Sequence, residues 1–456
     1  MENQNFNQPV SDQPLPENPQ TPPIMPDAKS KKKIWIISGI LGAVLVIAIT
    51  SFFYLNKGKQ PTPTPINTEQ PKLADINNVV DANNQFALDY YSQLKKKDSG
   101  NIFFSPFSIS SALAMTYEGA KGQTAEEMRS VFYFPADDNL RRTEYAAIFD
   151  ELNKGDRKYK LSIANALWAQ KDYQFLAEYF NGVEKYYGGK ANNLDFKKDP
   201  EGSRITINNW VEDQTNDKIK DLIPQGVIDA LTRLVLTNAI YFKGEWVEQF
   251  NVEDTRDENF RISKNNSVKV PMMQRTDEDA KFNYTENDKV QILEMPYSGE
   301  ELSMSILLPK NDDLATLENL PSTKKLSEWK KDLENQRVKI FIPKFKFETK
   351  YFMADDLKIM GVPTAFKWPG ADFSGMDGTK NLYIGEVIHQ AFVEVNEKGT
   401  EAAAATAANV KGFAAAPEQK TPEIPVFRAD HPFIFLIQEK ASGNILFMGR
   451  VVNPTL

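Results

Sequence analysis

Three hydrophobic patterns follow one another along the chain. Residues 1–28 are rich in Pro, Asn and Gln and almost without apolar periodicity. They bury too little surface to offset chain entropy, which predicts a disordered tail over 1–33. From Ile34 to Leu55 the run is apolar and free of charge, and Lys29-Ser-Lys-Lys-Lys33 precedes it. Such a run spans a bilayer core of about 30 Å. It also exceeds the roughly 7–15 apolar residues of a cleavable signal. The lysines ahead of it outnumber Lys57 and Lys59 behind it. The expectation is a single-pass cell-membrane protein anchored by 34–55, with a cytoplasmic N-terminus and the remainder outside. Alternating Pro and Thr from Gln60 then predict an extended linker over 56–74.

The third pattern, residues 75–456, mixes helix and strand periods with no Pro/Gly/Ser-rich break and no internal repeat. Asn78–Lys97 has a helical apolar face, and Thr124-Ala-Glu-Glu127 fits a capping box opening another helix. Leu234–Phe242 and Leu302–Leu308 read as buried strands, and Lys339–Phe347 alternates as a half-buried one. Helices come early and strands dominate late. The prediction is an α+β fold with a large mixed sheet, in one domain over 75–456.

Composition narrows the chemistry. Of 456 residues, 41% are hydrophobic, so a large core is available. The formal charge is −8, which argues against nucleic acid as a partner because phosphates need clustered cations. The chain has no cysteine and only two histidines, His389 and His431. Disulfides, thiol nucleophiles and thiolate metal sites are excluded. No His-Glu-x-x-His, Gly-x-Ser-x-Gly or phosphate-binding loop occurs, and Gly119-Ala-Lys-Gly122 is only a turn between helices. The expectation is a protein that is not an enzyme and needs no metal or cofactor, with His431 structural.

The segment from Gly399 to Phe413 is alanine-rich, which by propensity suits a helix or a linker. Its alternation favours a strand. Thr400, Ala402, Ala404, Thr406, Ala408 and Val410 are small and uncharged, while Glu401, Ala403, Ala405, Ala407, Asn409 and Lys411 carry all the charge. A strand puts the two sets on opposite faces. No proline between 400 and 416 would forfeit a ladder bond.

Five segments resemble the serpin family, in family order. Asn101-Ile-Phe-Phe-Ser-Pro-Phe-Ser-Ile-Ser-Ser-Ala-Leu-Ala-Met115 is similar to its early strand and helix. Leu234–Trp246 resembles a central strand, and Glu397-Lys-Gly-Thr-Glu-Ala-Ala-Ala-Ala405 the reactive-loop hinge. Phe427–Phe435 and Phe447–Pro454 resemble its C-terminal segments. The resemblance implies a suicide-substrate inhibitor of serine endopeptidases: the loop is cut and its new carbonyl end acylates the protease, its hinge inserts into the central sheet, and the protease is trapped covalently. It implies a hinge at Glu397, Gly399, Thr400, Glu401, Ala402, Ala403, Ala404 and Ala405, with the loop from Gly399 to Phe413 held outside the sheet until cleavage. Ser105, Ser108, Asn238 and His389 match the shutter and Trp246 the breach. Counting from Glu397 puts the reactive bond at Phe413–Ala414. The long stretch to Pro432 leaves Gly412, Lys411 and Lys420 open as alternatives. Phe413 suits a chymotrypsin-like slot, and Ala414–Ala416 suits subtilisin-like or elastase-like clefts. The implied state is a monomer. The competing reading is a non-inhibitory binding or carrier module, which tends to carry proline, charge or bulk in the hinge; residues 399–408 carry little of these.

Overall fold

The computed structural model describes residues 76–319, 321–400 and 423–455. The tail, the apolar run 34–55 and the linker 56–74 lie outside these, as do Glu401–Ala405 and the Phe413–Ala414 bond.

The early helices form where the sequence supplies their ends. Helix α1, Val79–Lys97, is capped by the Asn78 side chain accepting from the Asp81 amide, and closes on three lysines that complement the helix dipole. Helix α2, Pro106–Tyr117, has Ser105 as N-cap and Pro106 in its first turn. Nearly every residue of α2 is buried, so it lies inside the protein as a central post. Helix α3, Gly122–Phe132, corrects the capping-box expectation: it begins two residues before Thr124, with no side-chain cap. The Thr124 hydroxyl instead accepts from the Asp372 amide, and the Glu127 carboxylate accepts from Thr364.

The described strands form three sheets, and α2 packs against strands of two of them, the central and the seven-stranded. The central sheet is built from β1 (Tyr159–Gln170), β2 (Lys190–Leu194), β3 (Leu234–Glu245), β4 (Phe345–Phe352), β5 (Glu386–Asn396) and the two-residue β6 (Gly399–Thr400), in the order β4-β5-β6-β3-β1-β2. It is mixed: β3 runs parallel to β5 and antiparallel to β1. An antiparallel seven-stranded sheet runs from Ile102–Phe104 through the C-terminal strands Ile445–Val451 and Phe433–Glu439 to Glu334–Arg337. A four-stranded sheet pairs Val426–Arg428 with Lys339–Pro343. The α+β expectation with a large mixed sheet matches this architecture.

One expected strand is two. The alternation of Lys339–Phe347 crosses a sheet boundary at Lys344, with Lys339–Pro343 in the four-stranded sheet and Phe345 beginning β4 in the central one. A period of two looks the same on both sides of such a switch.

Strand β3 is buried on both faces, which explains its unbroken apolar run. Leu234, Leu236, Ile240 and Phe242 enter the main core, while Val235 and Ala239 join a second core with Trp168, Ile388 and Ile207 and Val211 of the helix Pro200–Gln214.

The expected single-pass membrane placement is corrected. Among the described residues no helix is long and apolar enough to cross a membrane. The nearest described helix to the apolar run is α1, and it is amphipathic: Asp81 and Lys95–Lys97 lie outside a face buried in the core.

Candidate functional site at the seam of the central sheet

The parallel pairing of β3 with β5 runs from Val235 opposite Glu386 to Ile240 opposite Ala391. Farther along, β6 takes over between them, with Thr400 opposite Gly244 on β3 and Val395 on β5. Of the residues singled out in the sequence, Ser105, Ser108, Asn238 and His389 meet at one end of this seam, and Trp246, Glu397, Gly399 and Thr400 at the other.

At the closed end, Asn238 and His389 are register partners, and both are fully buried. Buried polar groups need partners, and these have them. The Asn238 amide donates to Ser108 Oγ at 2.6 Å and to Asn165 Oδ1. Its oxygen therefore accepts from His389 Nδ1. His389 Nε2 accepts from the Ser105 amide at 3.1 Å. Ser105 Oγ donates to the Leu446 carbonyl at 2.6 Å, which ties α2 to a C-terminal strand. All four predicted residues thus meet in one network spanning α2, β3 and β5. Asn165, on β1 opposite Asn238, is a fifth member that the sequence did not reveal. It donates to Ser111 Oγ at 2.8 Å.

Each nitrogen of His389 has one role in this network, and a second proton on Nε2 would face the Ser105 donor. Burial lowers the His389 pKa to about 3, against a weaker opposing influence of Asn238. The unfolded chain, near 6.5, therefore binds a proton that the folded one refuses between about pH 3 and 6.5. This contribution to stability is complete above pH 6.5 and is lost as pH falls through that window, at up to about 1.4 kcal/mol per pH unit. Urea midpoints at pH 7, 6, 5 and 4.5 should fall along that slope, and His389→Asn should flatten it. Equal slopes would assign the acid sensitivity elsewhere.

At the open end, the Trp246 ring stacks on Tyr297 with centroids 4.5 Å apart. Its indole N–H donates to the Asn396 carbonyl at 3.0 Å, and its amide to the Lys398 carbonyl at 2.7 Å. Trp246 thus clamps the turn between β5 and β6. Glu397 in that turn accepts from Lys344 Nζ at 2.9 Å and from Thr255 Oγ1 at 2.9 Å. Burial alone would raise the Glu397 pKa, but the bond from Lys344, helped by backbone and Thr255 donors, outweighs it and holds the carboxyl below its usual range. Lys344, at the sheet switch, was not legible as a site residue.

Gly399 is needed because of close approach: a Cβ there would collide with the Gly244 carbonyl oxygen. Thr400 is 1% exposed and hydrogen-bonds Tyr297 through its hydroxyl at 2.7 Å. This corrects the expectation that the loop leaves the sheet from Gly399 onward. Its first two residues are already strand, because Tyr297 and the two flanking backbones offer them partners. His431 is buried, its Nε2 lying 2.8 Å from the Pro309 carbonyl.

Residues 81–454 match a family model described as Serpin (serine protease inhibitor). An uncharacterized serpin-like protein of Methanosarcina acetivorans is 45% identical over 378 residues, 82% of this chain and 87% of that protein. Leukocyte elastase inhibitor A of Rattus norvegicus is 42% identical over 82% of this chain and 98% of its own length. Among solved structures, uncleaved ovalbumin superposes with a TM-score of 0.74 at 32% identity, covering 83% of this chain and all of ovalbumin. Human thyroxine-binding globulin complexed with its hormone gives 0.73 at 32% identity, over 83% of this chain and 99% of its own. The family match begins at residue 81, so it lends the apolar run 34–55 no membrane role.

Proposed function

The chain belongs to the serpin family, and from that premise we propose that residues 75–456 inhibit a serine endopeptidase as a suicide substrate. The carrying observation is β6. A strand that sits antiparallel to both neighbours, at a seam whose far end is closed by a hydrogen-bond network, is the first step of an insertion. Its register can be extended. Stepping six residues on from Thr400 sets Thr406 opposite Asn238 and His389, the partners that the incoming strand must separate. The face is right as well: Thr400 lies opposite Val395 in the main core, and the small uncharged set continues on that side. New ladder bonds at about 0.5–1.5 kcal/mol each, with burial of the small side chains, supply the driving force. The reactive bond stays assigned to Phe413–Ala414, with Ser105, Ser108, Asn238 and His389 as shutter and Trp246 as breach. Relatives named as leukocyte elastase inhibitors support a serine protease as partner.

A second reading, a carrier, is favoured by one observation. A cavity of about 400 Å³ opens between α1, the helix Thr323–Lys331 and the seven-stranded sheet, lined by Trp329, Leu326 and Leu436. One experiment separates the readings. Mixed with chymotrypsin, subtilisin or pancreatic elastase, the protein should give a band on denaturing gels at the mass of the protease plus the chain up to the cut, with the fragment after the cut running separately. Neither should appear when the protease is blocked beforehand. Cleavage without such a band, by all three, would favour the carrier.

A further inference from the structure

The buried partner of Thr400 has no counterpart in the sequence reading. Tyr297 follows the strand Val290–Pro296, is fully buried, and bridges to Trp246 through its backbone. Its ring is fixed on two sides, stacked on Trp246 and edge-on to Phe242 at 5.0 Å. Gly244 lies beneath it, where a Cβ would press on the ring. A ring so confined carries its hydroxyl to one place, 2.7 Å from Thr400 Oγ1. Each hydroxyl is buried, and each satisfies the other.

We propose that Tyr297 is a positioning residue of the inhibitory reaction, holding the loop root docked in the sheet so that insertion starts from a formed nucleus. The inference rests on the inhibitor reading. After acylation two events compete, insertion of the loop and hydrolysis of the acyl bond. With Thr400 seated between Gly244 and Val395, the next residue adds to an existing strand end, which is faster than capturing free chain and fixing it anew. Tyr297 therefore governs how acylated molecules divide, and leaves the first attack on the loop unchanged.

The test is a double-mutant cycle with chymotrypsin as the probe. Tyr297→Phe keeps the ring and removes the bond; Thr400→Val keeps the shape and does the same from the other side. Each should lower the ratio of trapped to released protease by roughly three- to tenfold, the worth of one hydrogen bond. The rate of loop cleavage should stay at the wild-type value, and the double variant should be no worse than the poorer single one. Amide exchange at Gly399 and Thr400 should quicken in Tyr297→Phe without a change elsewhere, which separates a released root from general loosening. An unchanged ratio in Tyr297→Phe, or additive losses in the double variant, would overturn the proposal while the inhibitor reading stands. A wild-type protein that traps nothing while Tyr297→Phe still frees the root would overturn both.

Discussion

Cutting the loop at Phe413–Ala414 should make the protein more stable. Most nicks lower stability because they free chain ends. Here the freed segment has a place to go, in the register begun at Gly244 and Val395. New ladder bonds at about 1 kcal/mol each offset much of the cost of ordering the segment, and burial of its small side chains against the core supplies the remainder and the gain. For a domain of this size each net kcal/mol gained raises the melting temperature by roughly 1–2 °C. The closing network has to give way first. Asn238 and His389 must exchange their mutual bond for partners on the entering strand. The measurement is a thermal melt of intact and nicked protein, with the cut confirmed by mass spectrometry. An unchanged or lower value would mean that the segment stays out, and the inhibitor reading would fall.

On the inhibitor reading, Thr400→Arg should leave a protein that is cut as a substrate and no longer traps the protease. Residue 400 is enclosed by the Tyr297 hydroxyl, the Gly244 backbone and Val395, with no acidic group among these neighbours. An unpaired guanidinium there costs several kcal/mol, far more than two ladder pairings return. The root should leave the sheet and insertion should stall. The loop would still be cut, but the covalent band should disappear, and the nicked variant should lose the gain in melting temperature. A wild-type yield of complex would remove insertion from the mechanism.

The sequence exposed those parts of the site that are local in the chain. The buried strand Leu234–Phe242 and the alternating alanine segment each show within a dozen residues, while Ser105, Ser108, Asn238, His389 and Trp246 stand out only through the family resemblance. What it concealed depends on register between distant strands. Asn165 matters because β1 sets it opposite Asn238, and nothing near residue 165 announces that. Tyr297 joins the site through a bond to a residue 103 positions away, and Lys344 through one 53 positions away. Lys339–Phe347 misled for the opposite reason, since its pattern is uniform while its two halves serve different sheets. The capping box at Thr124 failed because tertiary partners claimed both of its side chains.

That change of sheet at Lys344 has an engineering consequence. The chain 401–422 is fastened at both roots to one ribbon, residues 339–352. At one root Glu397 is tied to Lys344; at the other, Val426 lies opposite Lys339, whose amide donates to the Pro425 carbonyl at 2.9 Å. Both moorings belong to residues outside the intervening stretch. Replacing residues within 401–422 therefore leaves these two moorings in place, which makes the stretch the place to graft a different bait sequence if the inhibitor reading holds.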